Sequence, residues 1–183
     1  MSYLIRTVRD EDWPKVRDLR LAALQDPIAH LAFLETYETA LAKTDAFWQE
    51  RTTRAAAGES ALQFVAELPD GRWLGTATAL VEPAGEKTFF GDVPEQSQTH
   101  VVGVYVLPEA RGTGLAHALF RAVLEWSWAL AEPRFDRVRL YVHEDNGRAE
   151  AMYLRAGFTR TGEVMGGPAE GEPTHYELAV ARG

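Results

Sequence analysis

The run from His100 to Leu130 constrains this chain most: an alternating strand, a glycine-rich turn and an apolar-periodic helix follow one another directly. From His100 to Leu107, Val102, Val104 and Val106 fall on one side and Val101, Gly103 and Tyr105 on the other, the period of two that marks a strand. Pro108 ends it, having no N–H for a ladder. Arg111-Gly112-Thr113-Gly114 follows. Then Leu115, Ala118, Leu119, Ala122, Val123, Trp126 and Leu130 recur at helical spacing. A glycine turn between strand and helix is an anion site. Glycine lets the backbone approach closely, and the N–H groups of the first helical turn have no partner within the helix. The positive helix end adds to this, and Arg111 is expected to contribute charge. A Walker loop is excluded because no lysine follows the glycines. The dinucleotide pattern G-x-G-x-x-G also fails, since the segment offers only G-x-G-x-A and has no third glycine.

The rest of the chain supplies elements around this unit. Tyr3 to Val8 is a short strand candidate, and Asp10 is expected to cap a helix over Trp13 to Leu24, stopped by Asp26-Pro27. Ile28 to Lys43 has loose periodicity and is expected to form an irregular or helical lid. Thr44 or Asp45 caps a further helix that ends at Gly58. Leu62–Glu67 and Trp73–Val81 flank the turn signal Pro69-Asp70-Gly71. Pro83 to Gln98 reads as a long loop or flap. Arg137 to Val142 is a strand, Ala149, Met152, Tyr153 and Ala156 mark a short amphipathic helix, and Phe158–Glu163 and His175–Val180 are strands. The order predicts one α+β domain over residues 1–183, layered α/β/α. Its mixed, mostly antiparallel sheet has six or seven strands and a parallel portion near the centre.

Two segments 35 residues apart then resemble one known family. R-G-T-G-L-A, preceded by V-x-V-x-P, resembles the acetyl-CoA signature of the GNAT N-acetyltransferases. L-Y-V-H-E-D-N-G-R-A-E-A-M-Y-L-R-A-G-F, from Leu140 to Phe158, is similar to that family's second motif. The resemblance implies a GNAT-like fold and acetyl transfer from acetyl-CoA to a primary amine by direct attack in a ternary complex. It assigns the coenzyme to Val104, Tyr105, Val106, Arg111, Gly112, Thr113, Gly114, Leu115, Ala116, Asn146, Ala149 and Tyr153. The backbone of Val104 and Val106 is expected to hold the pantetheine arm, the turn residues the pyrophosphate, and Asn146 a place near the pantetheine. Tyr153 resembles the acid that protonates the leaving thiolate.

The general base is the open part of this reading. The family often carries a glutamate on the central strand or the next one, and here valines and Tyr141 stand there. His100 and Tyr105 are the candidates carried forward, with Glu67, Glu82, His143 and His175 as weaker ones. His100 is expected far up the strand and exposed.

Composition sets the remaining bounds. With no cysteine, an acyl-cysteine route, disulfides and cysteine metal sites are excluded. His117 has Arg121 at i+4, so it makes no helical metal pair, and no metal is expected. Net charge of -8 and the lack of a basic stripe argue against nucleic acid. With no signal peptide pattern or long apolar run, no membrane partner and a cytoplasmic location are expected. The acidic balance, with Glu35 and Glu38 in the lid, leans toward a small cationic amine or a peptide amine as acceptor. A homodimer is expected from the family habit, with Phe89, Phe90 and Trp128 as contact candidates. The competing reading is a non-catalytic acyl-CoA-binding or sensing protein on the same scaffold.

Overall fold

The computed structural model describes residues 2–183. Strands β1 (Leu4–Thr7), β2 (Ala61–Glu67), β3 (Trp73–Glu82), β4 (Gln98–Val106), β5 (Arg137–His143), β6 (Thr159–Met165) and β7 (His175–Ala181) form one seven-stranded sheet. Its order is β1-β2-β3-β4-β5-β7-β6. Every neighbouring pair is antiparallel except β4–β5. The long crossover between those two strands is helix α5 (Leu115–Ala129), as a parallel connection requires.

Helix α5 and helix α6 (Gly147–Arg155) cover one face of the sheet. Leu115, Leu119, Phe120 and Val123 pack there against Phe64, Leu74, Val101, Leu140 and Leu178. On the other face lie α1 (Trp13–Leu24), α2 (Ala29–Ala32), α3 (Tyr37–Leu41) and α4 (Asp45–Ala57). Trp48 of α4 is fully buried there with Val16, Leu19, Val65, Trp73 and Tyr105. The expected lid is thus two short helices. Thr36 and Thr44 cap α3 and α4 by accepting from the N–H of Thr39 and Phe47. Asp10 does not cap α1. It opens a short 3-10 turn, and it is Asp12 that accepts the Arg9 N–H while pairing with Arg6. Among the described residues no helix is long and apolar enough to cross a membrane.

The strict alternation expected for β4 is broken. Register shifts between Thr76 and Thr78 of β3, and Gly103 opposite that point has φ of +62°, a bulge with a left-handed residue. The phase of the strand therefore changes. Val101, Val104 and Val106 all face the α5 side, while Tyr105 joins the opposite core.

At the other end of β4 sits a buried ionic cluster. Arg139 of β5 is 1% exposed and bonds both oxygens of Glu82 at 2.8 Å, Asp92 at 2.7 Å and Glu177 at 2.9 Å. It links β3, β5, β7 and the loop between β3 and β4. Gln98 and Arg137 extend the cluster to β4 through Glu82 and Glu177.

Replacing Arg139 with methionine leaves buried carboxylates without their cation, and the folded state should lose about 3–5 kcal/mol. The urea midpoint measures this. The Arg139 hydrogen bonds hold the Asp92 carboxyl down at about 2. Burial pushes Glu82 and Glu177 upward, but the bonds from His100 and Arg139 to Glu82, and from Arg139, Thr161 and Arg137 to Glu177, outweigh it and both end below the usual range. Carboxylates depressed in the folded state contribute stability above their unfolded value of about 4, and that contribution is lost as pH falls below it. The melting temperature should drop between about pH 5 and pH 3, more steeply in the native chain than in Arg139→Met.

Candidate active site

The turn after β4 has the geometry expected of an anion cradle. Gly112 and Gly114 have φ of +79° and +84°, and a Cβ on either would meet nothing within 4 Å. Conformation rather than space demands glycine there. From Gly112 to His117 no backbone N–H has a hydrogen-bond partner among the described residues; the ladder resumes with Ala118 bonding Gly114. Thr113 has its hydroxyl tied to the Ala110 carbonyl at 2.7 Å, so its backbone N–H is what it can offer a ligand. Leu115 is 1% exposed, its side chain in the core, and likewise presents only backbone.

Beside the cradle the sheet opens. β4 and β5 are paired only at Thr99–Val138 and His100–Arg139. Past His100 the two strands run on without pairing, so β4 has a free edge. Leu107 bonds Leu74 and Tyr105 lies opposite Thr76, both toward β3. Val106 between them turns its N–H and carbonyl to the gap. Val104 lies on the same unpaired stretch.

Arg111 does not face the cradle as expected. Its Nε donates to the Val106 carbonyl at 3.0 Å and its guanidinium pairs with Asp26, at the end of α1. The charge expected for the anion is neutralised by a carboxylate, and one acceptor on the strand edge is already occupied. Tyr105 is also drawn in: its ring is buried and its hydroxyl lies 3.4 Å from Asp26.

On the α5 side, Asn146 caps α6 by accepting the Ala149 N–H at 3.3 Å, and Ala149 packs on the core. Tyr153 follows from this cap, its ring edge-on to Phe120 at 5.4 Å and near Phe158 at 6.5 Å. Its hydroxyl has no hydrogen-bond partner among the described residues, and burial pushes its pKa up to about 12. It is therefore a protonated, unengaged donor at neutral pH.

On the opposite face is His100, which is 1% exposed rather than open to solvent. Its ring lies 4.6 Å from Phe90 of the flap and 5.4 Å from Tyr141. Its Nδ1 is 3.3 Å from Glu82, and Nε2 has no partner among the described residues. Burial lowers the imidazole pKa, and Glu82 opposes that only in part. Glu82 was a weak base candidate and is instead the partner of both His100 and Arg139. Glu67 is held at about 2, chiefly by the Arg6 hydrogen bond, and also accepts from the Trp73 indole; it is a structural anion. His143 accepts the Asp145 N–H, and its ring stacks edge-on against His175 at 5.1 Å, away from the paired end of β4.

Sequence reasoning missed Asp26, the Arg139 cluster and the β4 bulge. Gly103 inside a strand was the one signal for the bulge. The family model described as the acetyltransferase (GNAT) family matches residues 13–158. A mycothiol acetyltransferase of Arthrobacter sp. (strain FB24) is 38% identical over 104 residues, 56% of this chain and 29% of that protein. The aminoglycoside N(6')-acetyltransferase type 1 of Klebsiella aerogenes is 30% identical over 100 residues, 55% of this chain and 60% of the relative. The chain thus spans less than two thirds of the length of these relatives, and under a third of the mycothiol acetyltransferase. Among solved structures, an acetyltransferase of the GNAT family from Streptococcus pneumoniae shares the fold, with a TM-score of 0.75 at 16% identity over 100% of both chains. With the family match covering most of its length, this chain belongs to the acetyltransferase (GNAT) family.

Proposed function

We propose that this protein transfers an acetyl group from acetyl-CoA to a primary amine. The observation that carries the proposal is the pairing of two features: a strand that parts from its parallel neighbour, and a run of unbonded N–H groups from Gly112 to His117 at its end. The unbonded N–H groups suit a pyrophosphate, and the free β4 edge suits an extended amide-bearing arm. Relatives named as mycothiol and aminoglycoside acetyltransferases support acetyl transfer as the chemistry.

When bound, acetyl-CoA supplies the thioester. The chain's own groups would then act from the two faces of the sheet. Val106 N–H, and Val104 on the same edge, hold the arm in the gap. Tyr153, on the α5 side, donates its proton or a strong hydrogen bond to the departing thiolate. A phenol held near 12 stays protonated until that moment. His100, on the opposite face, accepts a proton from the attacking amine at Nε2, with Glu82 fixing the tautomer at Nδ1. Direct attack fits a chain with no cysteine nucleophile. The unengaged Tyr153 hydroxyl and the His100–Glu82 pair favour catalysis over mere sensing.

Gly114→Ala forces an L side chain into a left-handed backbone at a cost of about 1–2 kcal/mol. Calorimetry should find coenzyme A bound roughly 5- to 30-fold more weakly, and unchanged affinity would remove the cradle from the site. Tyr153→Phe should lower kcat by about 100-fold or more with little change in the KM for acetyl-CoA. Because His100 must be neutral to act and burial lowers its pKa, kcat/KM should rise with pH below about 6.5 and level off above it. That rising limb should vanish in His100→Gln.

A further inference from the structure

The acceptor-side face holds a second feature. A cavity of about 20 Å³ lies between α1, α4 and the sheet, and Arg20, Arg51, Thr78, Gly103 and Tyr105 are among its walls. Gly103 is the bulge residue on the edge of the gap, so this cavity opens at the strand that borders the proposed reaction site.

Its charge is the opposite of the chain's. Arg20 pairs with Glu35 at 3.0 Å, and Lys43 bonds the same carboxylate. The lid carboxylate expected to attract a cation is thus held by two cations, while Glu38 is exposed. Arg51 has no carboxylate partner and makes no hydrogen bond among the described residues. Its guanidinium lies over the Trp48 ring at 5.5 Å, which fixes its position without neutralising it. Burial is the main influence that lowers its pKa, with Arg20 adding repulsion and Glu35 opposing it. Thr76 accepts from the Gln63 amide and donates to the Phe64 carbonyl, whereas the Thr78 hydroxyl has no partner among the described residues and lies 3.9 Å from the position of a Gly103 Cβ. One guanidinium without an anion, a second shared with a single carboxylate and an open hydroxyl form a receptor for an anion.

We infer that the acceptor amine carries a carboxylate, which Arg51 binds with help from Arg20 and Thr78. The acceptor class is therefore a small amino acid, its amine directed to the gap at Gly103. This deepens the acetyltransferase reading and rests on it. The cavity's volume of about 20 Å³ has room for one water-sized group, the scale of a single carboxylate oxygen. The acidic balance of the whole chain misdirects here, because recognition depends on the groups that face the ligand.

The test pairs amino acids with the amines that lack their carboxylate, such as alanine with ethylamine and lysine with cadaverine. Acetyl-CoA turnover is measured for the native chain, Arg51→Gln and Arg51→Lys. The inference predicts that kcat/KM favours the amino acid by about 10- to 100-fold, that Arg51→Gln removes this preference, and that Arg51→Lys restores part of it. Turnover of the bare amines should change little in Arg51→Gln. Equal use of both members of each pair, or a preference unchanged by Arg51→Gln, overturns the carboxylate inference and leaves acetyl transfer standing. If coenzyme A binds but no amine is acetylated, the acetyltransferase reading fails. Calorimetry of the same amino acids with the coenzyme-bound protein then decides the anion site: binding lost in Arg51→Gln supports it, and no binding overturns it.

Discussion

The buried Arg139 guanidinium is the interaction on which the rest depends. A charge 1% exposed is tolerated only where its donors are matched, and Glu82, Asp92 and Glu177 match them from a strand, a loop and another strand. The cluster sits where β4 and β5 make their two pairs, and directly beyond it they part. Such a cluster adds little net stability compared with a well-packed apolar replacement, and it lies at the point where pairing stops. The gap in the sheet and the free edge of Val106 lie just beyond that point, and His100 is anchored beside it through Glu82.

What could be read in the sequence was local. The glycine turn, the stripe of α5 and the turn at Gly71 each rest on residues within a few positions of one another. They set most of the element types and the parallel crossover. What could not be read was long-range. Arg139 meets Glu82, Asp92 and Glu177 at separations of 57, 47 and 38 residues, and no local pattern joins them. Arg111 is turned aside by Asp26, 85 residues away. The bulge at Gly103 shifted the phase of β4 and so moved Val104 and Val106 to the other face from Val102. The four-residue α2 and five-residue α3 are too short to show periodicity, and they hold through caps and packing.

The two sides of the sheet carry different chemistry. The α5 side offers backbone N–H groups and a neutral phenol, groups suited to an anion and a leaving thiolate without adding net charge. The α1–α4 side offers an imidazole paired with a carboxylate and two guanidiniums near the bulge. A net charge of -8 describes neither side. It is carried largely by exposed acids, while the groups that face the gap are selected by what each touches.

The central claim is that the unpaired edge of β4 and the N–H groups after it form one continuous coenzyme site. Amide hydrogen exchange with and without coenzyme A tests it most directly. The account predicts that Val106 and the amides from Gly112 to His117 become protected together on binding, while those of β1 and β6 at the sheet edges keep their rates. Protection that bypasses this stretch, or that falls on the turn without reaching Val106, would contradict it.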